Sequence, residues 1–148
     1  MLLNNAQAHY GPKVISWLKA MLTGQEVLPL ALVGPNGSGK AFFIEALKSW
    51  VRVHYLQGVL NSPVNEALRY SKVLVAENHA IPKEYTHDRF IEIKSWVRPR
   101  VTVANHFAVV GCYSEVSGII PDCAIIVQLN KIECDMPDRR NLITELLK

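Results

Sequence analysis

Seven consecutive residues, Gly34-Pro35-Asn36-Gly37-Ser38-Gly39-Lys40, fit the pattern G-x-x-x-x-G-K. Glycines at this spacing let backbone N–H groups turn inward toward one anion, and the lysine reaches the outer phosphates of a nucleoside triphosphate. The positive end of a following helix points at the same anion. The competing reading is a glycine-rich turn that matches by accident. The full pattern continues with Ser or Thr, whose hydroxyl coordinates Mg²⁺, whereas this chain has Ala41. A methyl cannot bind a metal, so either water takes that position or the site binds nucleotide with little turnover.

A loop of this kind needs a buried strand before it and a helix after it. Residues 27–33 are an almost wholly apolar run closed by Gly-Pro, the pattern of a strand buried on both faces. After the loop, Phe42, Phe43, Ala46, Leu47 and Trp50 recur at helical spacing. Ahead of both, Val14, Ile15, Leu18, Met21 and Leu22 mark an amphipathic helix over residues 6–22 that ends at Thr23-Gly24. Residues 72–76 form a second apolar strand. The spacing of Phe90, Ile91, Ile93 and Trp96 predicts a helix over 88–97, stopped by Pro99. Residues 101–110 alternate imperfectly, as half of a hairpin would. Residues 123–129 are a third buried-type strand, and a terminal helix starts near Pro137 with Leu142, Ile143, Leu146 and Leu147 at helical spacing. No internal repeat or long linker interrupts the chain, so one domain over 1–148 is expected, with its nucleotide-binding core over 27–148.

At 148 residues and 49% hydrophobic content, the chain is long enough to bury a packed core. Its net charge of +3 permits contact with nucleic acid without requiring it. No apolar run approaches the roughly 18 residues that span a bilayer, and the first ten residues lack the basic-then-apolar order of a secretory signal. A soluble, intracellular protein with no membrane partner is the expectation. Cys112, Cys123 and Cys134 are separated by gaps that suit reduced thiols better than a disulfide framework or a zinc site, so no metal ligand is assigned.

The local form G-P-x-x-[ST]-G-K is narrower than the general pattern and resembles the Walker A motif of superfamily 3 helicases, the hexameric replication motors of papillomaviruses, parvoviruses and polyomaviruses. The order of the remaining segments is similar too. Residues 14–24 resemble the helix leading into the motor, Lys72-Val73-Leu74-Val75-Ala76-Glu77-Asn78 resembles the Walker B strand, and residues 90–103 resemble the segment leading to the DNA-binding hairpin. Ile125-Ile126-Val127-Gln128-Leu129-Asn130 resembles the strand bearing the sensor asparagine. The resemblance implies a three-layer α/β/α P-loop NTPase fold of AAA+ type, with a central, mostly parallel sheet.

It also implies ATP and Mg²⁺ as cofactors, single-stranded DNA as partner, a homo-oligomeric ring of hexamer type and work in a host nucleus. The loop Gly34 to Lys40, with Ala41, would hold the nucleotide. Glu77 becomes the candidate general base, or else a surface glutamate. Asn130 becomes the γ-phosphate sensor, or else a strand-ending cap. Arg140, with Arg139 second, becomes the arginine finger reaching a neighbour's nucleotide, or else decorates a helix start.

Departures from the family pattern fall on chemistry. Where Walker B ends in two acids the mapping finds Ala76-Glu77, so together with Ala41 the protein's Mg²⁺ ligands are lost. Where the hairpin carries lysine and a ring, the nearest match is Asn105-His106-Phe107; His106 and Phe107 are the candidate DNA contacts, against an ordinary loop with a buried ring. Other cations nearby are Arg89, Lys94, Arg98 and Arg100. With no origin-binding or nuclease domain read ahead of the motor, two expectations stand side by side: an excised fragment, or a reduced relative that kept the scaffold and lost the metal site. Two functions are therefore carried forward: an ATP-dependent DNA motor, and a nucleotide-binding or interaction module on the same scaffold without turnover. A P-loop kinase is a third and weaker alternative, since no lid or second-substrate motif is evident.

Overall fold

The structure, a computed structural model, describes residues 2–61 and 65–148. Helix α1 (Asn5–Leu22) begins with a capping box. The Asn4 side chain accepts from the Gln7 N–H at 2.9 Å, and the Gln7 side chain accepts from the Asn4 N–H at 3.2 Å. Gly11, at φ +83, and Pro12, which has no N–H, kink it after its second turn. Its apolar stripe turns Tyr10, Val14, Trp17, Leu18 and Met21 into the core. Strand β1 (Leu30–Val33) is buried along its whole length, and it starts only after Pro29. Helix α2 (Lys40–Leu47) follows the glycine-rich loop and stops before Trp50, which is 46% exposed.

Strands β2 (Val53–Tyr55), β3 (Val73–Glu77), β6 (Ala108–Tyr113) and β7 (Ile125–Gln128) join β1 in one sheet of order β2-β3-β6-β1-β7. Every neighbouring pair in it is parallel. Parallel register puts aligned residues on the same face. Leu32 aligns with Cys112 and Cys112 with Glu77, while Ala31 aligns with Gly111 and Gly111 with Ala76. One face, with Leu30, Leu32, Val73, Val75, Val110 and Cys112, packs against α1, α2 and the C-terminal helix α5 (Arg139–Leu146). Asp138 caps α5 by accepting from the Arg140 and Asn141 N–H groups.

The other face is covered by smaller pieces. Leu74, Ala76 and Val109 pack with α3 (Leu56–Asn61), α4 (Glu84–His87) and an antiparallel hairpin, β4 (Phe90–Ile93) with β5 (Val101–Ala104). The α/β class and the mainly parallel central sheet of the sequence reading stand, in a form compatible with a P-loop fold.

The helix expected over 88–97 is instead β4 and the hairpin turn. Its apolar residues fit two periods, and burial selects the strand: Ile91 and Ile93 face the core while Phe90 and Glu92 face solvent. The run 101–110 is divided between two sheets, since β5 pairs with β4 and β6 enters the parallel sheet between β3 and β1. Asn105 makes the break, its amide donating to the carbonyl oxygens of Asp88, Glu84 and Tyr85 at 2.8–3.2 Å.

This alternation has a measurable consequence. Ile93→Ala should lower unfolding free energy by about 2–5 kcal/mol through the cavity it leaves. Phe90→Ser should change it by less than ~0.5 kcal/mol, as at other exposed positions. Urea titration followed by circular dichroism distinguishes this from a helical segment, in which Phe90 and Ile93 would share a face.

Candidate phosphate-binding site

The loop leaves β1 at Gly34, whose N–H donates to the Tyr113 carbonyl at 3.0 Å. Only hydrogen fits on this Cα: a Cβ would lie 2.5 Å from the Leu129 carbonyl and 2.8 Å from the Ser38 hydroxyl. Gly37 and Gly39 take φ of +82 and +95, the left-handed region that glycine adopts without strain.

The outward carbonyls of the loop have partners from neighbouring elements. Tyr10 donates its hydroxyl to Gly39 O at 2.7 Å, and the Ile132 N–H donates to Gly37 O at 2.9 Å. His9 Nε2 lies 2.6 Å from Ser38 O, and because a carbonyl only accepts, this nitrogen carries the hydrogen. Burial, with a smaller contribution from Cys112, raises the Tyr10 phenol above its ordinary pKa and keeps it a donor. Helix α1 thus clasps one side of the loop and segment 129–132 the other.

Lys40 opens α2, whose first turn has no side-chain cap. Its ammonium donates to Gly34 O and, at 3.2 Å, to Tyr113 O. Ser38 is buried, and its hydroxyl has no hydrogen-bond partner among the described residues. A cavity of ≈ 380 Å³ lies between the loop, the start of α2, Ile132 and Met136. Uncapped helix-start amides, a lysine and a glycine turn meet there, an arrangement that suits an anion.

The sheet register sorts the other candidates. Glu77 aligns with Cys112 on the α2 face, and it is exposed at the carboxyl edge of β3. Burial first, and then the Glu77 carboxylate, push the Cys112 thiol up to about 12 against the opposing Lys40 ammonium; Glu77 and Lys40 both act on this one buried group. Ala76 points to the opposite face and is fully buried in the second core with Ile81 and Phe107. A carboxylate at 76 would therefore enter that core instead of reaching the loop, which corrects the pairing of Ala76 with Glu77 at a metal.

The residue beside Glu77 on the edge is Asn78, at φ +47. Its N–H donates to Cys112 O at 2.8 Å and its side-chain oxygen accepts from the Ser114 N–H at 3.2 Å, so it stitches β3 to β6. Asparagine tolerates this conformation better than other non-glycine residues. Strand order places the end of β6, Tyr113 and Ser114, between the loop and Glu77. Tyr113 is tied to the site through its carbonyl. Gly111 leaves space for its ring, where any side chain would collide. Asn78, Tyr113 and Ser114 were not singled out from sequence.

Asn130 is exposed one residue beyond Leu129, whose N–H donates to Val33 O at 2.7 Å; it stands at the same edge but on the outer neighbour of β1. Arg140 is exposed in the first turn of α5, 3.8 Å from Asp138, and shares a surface depression with Glu45, Lys48 and Ser49 instead of the loop. Arg139 lies 4.0 Å from Glu45 of α2.

Phe107 is buried in the second core, so the ring proposed for DNA contact has no free face. His106 is exposed and tilted on Phe107, with Nδ1 3.0 Å from Ala104 O. Phe90 on β4 is 62% exposed, and the most exposed ring of the hairpin is Trp96, at 81%, at the hairpin tip beside Val97 at 86%. Lys94, Arg98 and Arg100 flank it. Ser95 anchors the tip by donating to the Glu66 carboxylate, and the Asn65 N–H donates to Lys94 O at 3.0 Å.

The donor set does not fit a protein-held Mg²⁺. Ala41 offers a methyl and Ala76 faces away, and among the described residues no three His, Cys, Asp or Glu side chains converge. Of the side chains expected around a metal, Glu77 alone lies on the loop face.

Two solved structures of the NrS-1 C-terminal region share this fold. The apo A form superposes with a TM-score of 0.60 at 16% identity, over 90% of this chain and 37% of that one. A second apo A-form structure of that region, described by residues 305–718, gives 0.60 at 18% identity over the same shares. At such identities the likeness is one of fold, and the chain spans 37% of the length of the structures it matches. No family model matches the sequence, and no curated protein does. Among the described residues no helix is long and apolar enough to cross a membrane.

Ala76→Asp should destabilise the fold by roughly 3–5 kcal/mol, the cost of an uncompensated buried charge, and should not create a metal site. Glu77→Gln should stay within ~0.5 kcal/mol of the parent, because its side chain is solvent-exposed. Chemical denaturation of the two variants measures both.

Proposed function

We propose that this chain is an ATP-binding domain of superfamily 3 helicase type, with an AAA+-like fold, acting on single-stranded DNA in replication. The observation that carries the reading is the loop. Gly34 to Lys40 joins a buried parallel strand to a helix start, with two left-handed glycines and the lysine ammonium gathered at one sheet edge. Parallel α/β sheets bind ligands outside the carboxyl ends of their strands, which is where this loop lies. The fold shared with the NrS-1 C-terminal region agrees with that assignment.

On binding, the Lys40 ammonium exchanges the Gly34 and Tyr113 carbonyls for phosphate oxygens, while loop and helix-start amides donate to the same groups. Glu77 faces this side of the sheet and is the group that would accept a proton from attacking water. Asn130 stands at the edge as a hydrogen-bonding neighbour of the terminal phosphate. Arg140 is exposed, as a residue serving a neighbouring subunit's nucleotide in a ring would be. DNA is engaged by the hairpin tip, where Trp96 offers a stacking face and Lys94, Arg98 and Arg100 offer charge; Phe107 supports the hairpin from below.

A second reading, a nucleotide-binding module without turnover, is favoured by one observation. The methyl of Ala41 and the burial of Ala76 leave Glu77, of the side chains expected around a metal, as the one carboxylate on the loop face among the described residues. Phosphate release decides between the two: release stimulated by single-stranded DNA and lost in Glu77→Gln supports the motor, and binding without release supports the module.

Saturating ATP should raise the thermal midpoint of the parent chain and leave Lys40→Ala unshifted, since a ligand stabilises only a state that binds it. Equal shifts in both would remove Lys40 from the site. In fluorescence anisotropy with a labelled oligonucleotide, Trp96→Ala should weaken binding roughly tenfold, whereas His106→Ala should change it by less than about twofold. The reverse ranking would return the DNA surface to His106.

A further inference from the structure

Lys131 stands beside the phosphate loop without a role in any motif. Segment 129–132 is fastened along the loop by two backbone bonds, Leu129 N–H to Val33 O at 2.7 Å and Ile132 N–H to Gly37 O at 2.9 Å. Between them the Lys131 side chain lies across Gly37. A Cβ built on Gly37 would sit 3.8 Å from the Lys131 Cγ and 4.0 Å from its Cε. With both ends of the stem near one point, the side chain runs along the turn. Lys131 is exposed and forms no ion pair among the described residues, although Glu133 and Asp135 follow closely in sequence.

The same site lacks the groups that would fasten a divalent ion. A triphosphate entering the loop brings several negative charges, and the groups around it offer Lys40, one helix start and the orphaned Ser38 hydroxyl, opposed by Glu77. A second lysine at the turn supplies the missing positive charge. Lys131 is not among the residues that line the cavity, so its flexible stem would swing the ammonium over the turn to meet a phosphate oxygen there, a side-chain movement that leaves the backbone in place.

We propose that Lys131 is the second phosphate-binding cation of this site, and that the loop accepts an uncomplexed nucleoside triphosphate balanced by Lys40 and Lys131. The inference rests on the reading of the loop as a nucleotide site. It differs from that reading in what neutralises the ligand.

Calorimetric titration of the full chain with ATP, once in excess EDTA and once in Mg²⁺, tests it. The parent should bind with affinities within about threefold in the two buffers. In EDTA, Lys131→Ala should bind roughly tenfold more weakly or worse, the size expected for one charge-assisted contact. Lys131→Arg should retain most of the affinity. Because residue 131 is exposed, both variants should keep the parent's circular dichroism and thermal midpoint. Tightening of the parent by tenfold or more in Mg²⁺, or an unchanged Lys131→Ala in EDTA, overturns the inference and leaves the loop reading intact. Absence of ATP binding by the parent in both buffers overturns the loop reading and the inference with it.

Discussion

The conformation of residues 34–40 depends on where their carbonyl oxygens go. A turn can aim its amides at an anion only if its acceptors are held by something else. Here Ser38 O is taken by His9, Gly39 O by Tyr10 and Gly37 O by the Ile132 N–H, while Gly34 O receives Lys40; Pro35 O is held at 3.2 Å by the loop's own Ser38 N–H, which must turn from it to meet an anion. Two of these donors come from α1, far upstream, and one from the segment after β7. The fold around the loop is thus a clamp on its outer surface. The kink at Gly11-Pro12 lets the first turns of α1 reach the loop while the rest of the helix lies on the sheet with Trp17, Leu18 and Met21 buried.

Parallel register is the second constraint, because it decides which face each edge residue serves. One step along β3 separates Ala76, sealed in the lower core, from Glu77, which shares a face with Cys112 and the α2 side. A substitution that looks conservative in a motif alignment therefore has opposite meanings at adjacent positions. At 76 it concerns packing density, and at 77 it concerns charge near the loop.

Much of this was legible in the sequence. The glycine pattern, the flanking strand and helix, the lead-in helix, the strands near 72–76 and 123–129 and the terminal helix are each encoded by a local run with one period. The hairpin was misread because Phe90, Ile91, Ile93 and Trp96 satisfy a helical spacing as well as an alternating one, and only burial of Ile91 and Ile93 separates them. For Phe107 the sequence leaves two readings, a DNA contact and a buried ring in an ordinary loop, and the second holds: it packs beneath the hairpin although its neighbours Asn105 and His106 are polar. Asn78, Tyr113 and Ser114 reach the site through the order β3-β6-β1, a long-range pairing that no short window of sequence expresses. Lys131 is reached only through the backbone bonds that lay its segment along Gly37.

The central claim is that the amides of this turn receive a triphosphate. Amide ¹⁵N–¹H spectra of the chain recorded during ATP titration test it at the atoms concerned. The account predicts saturable shifts concentrated at Gly37, Ser38, Gly39, Lys40 and Ala41. It would be contradicted by ATP that leaves those five amides unmoved, whether or not shifts appear elsewhere on the molecule.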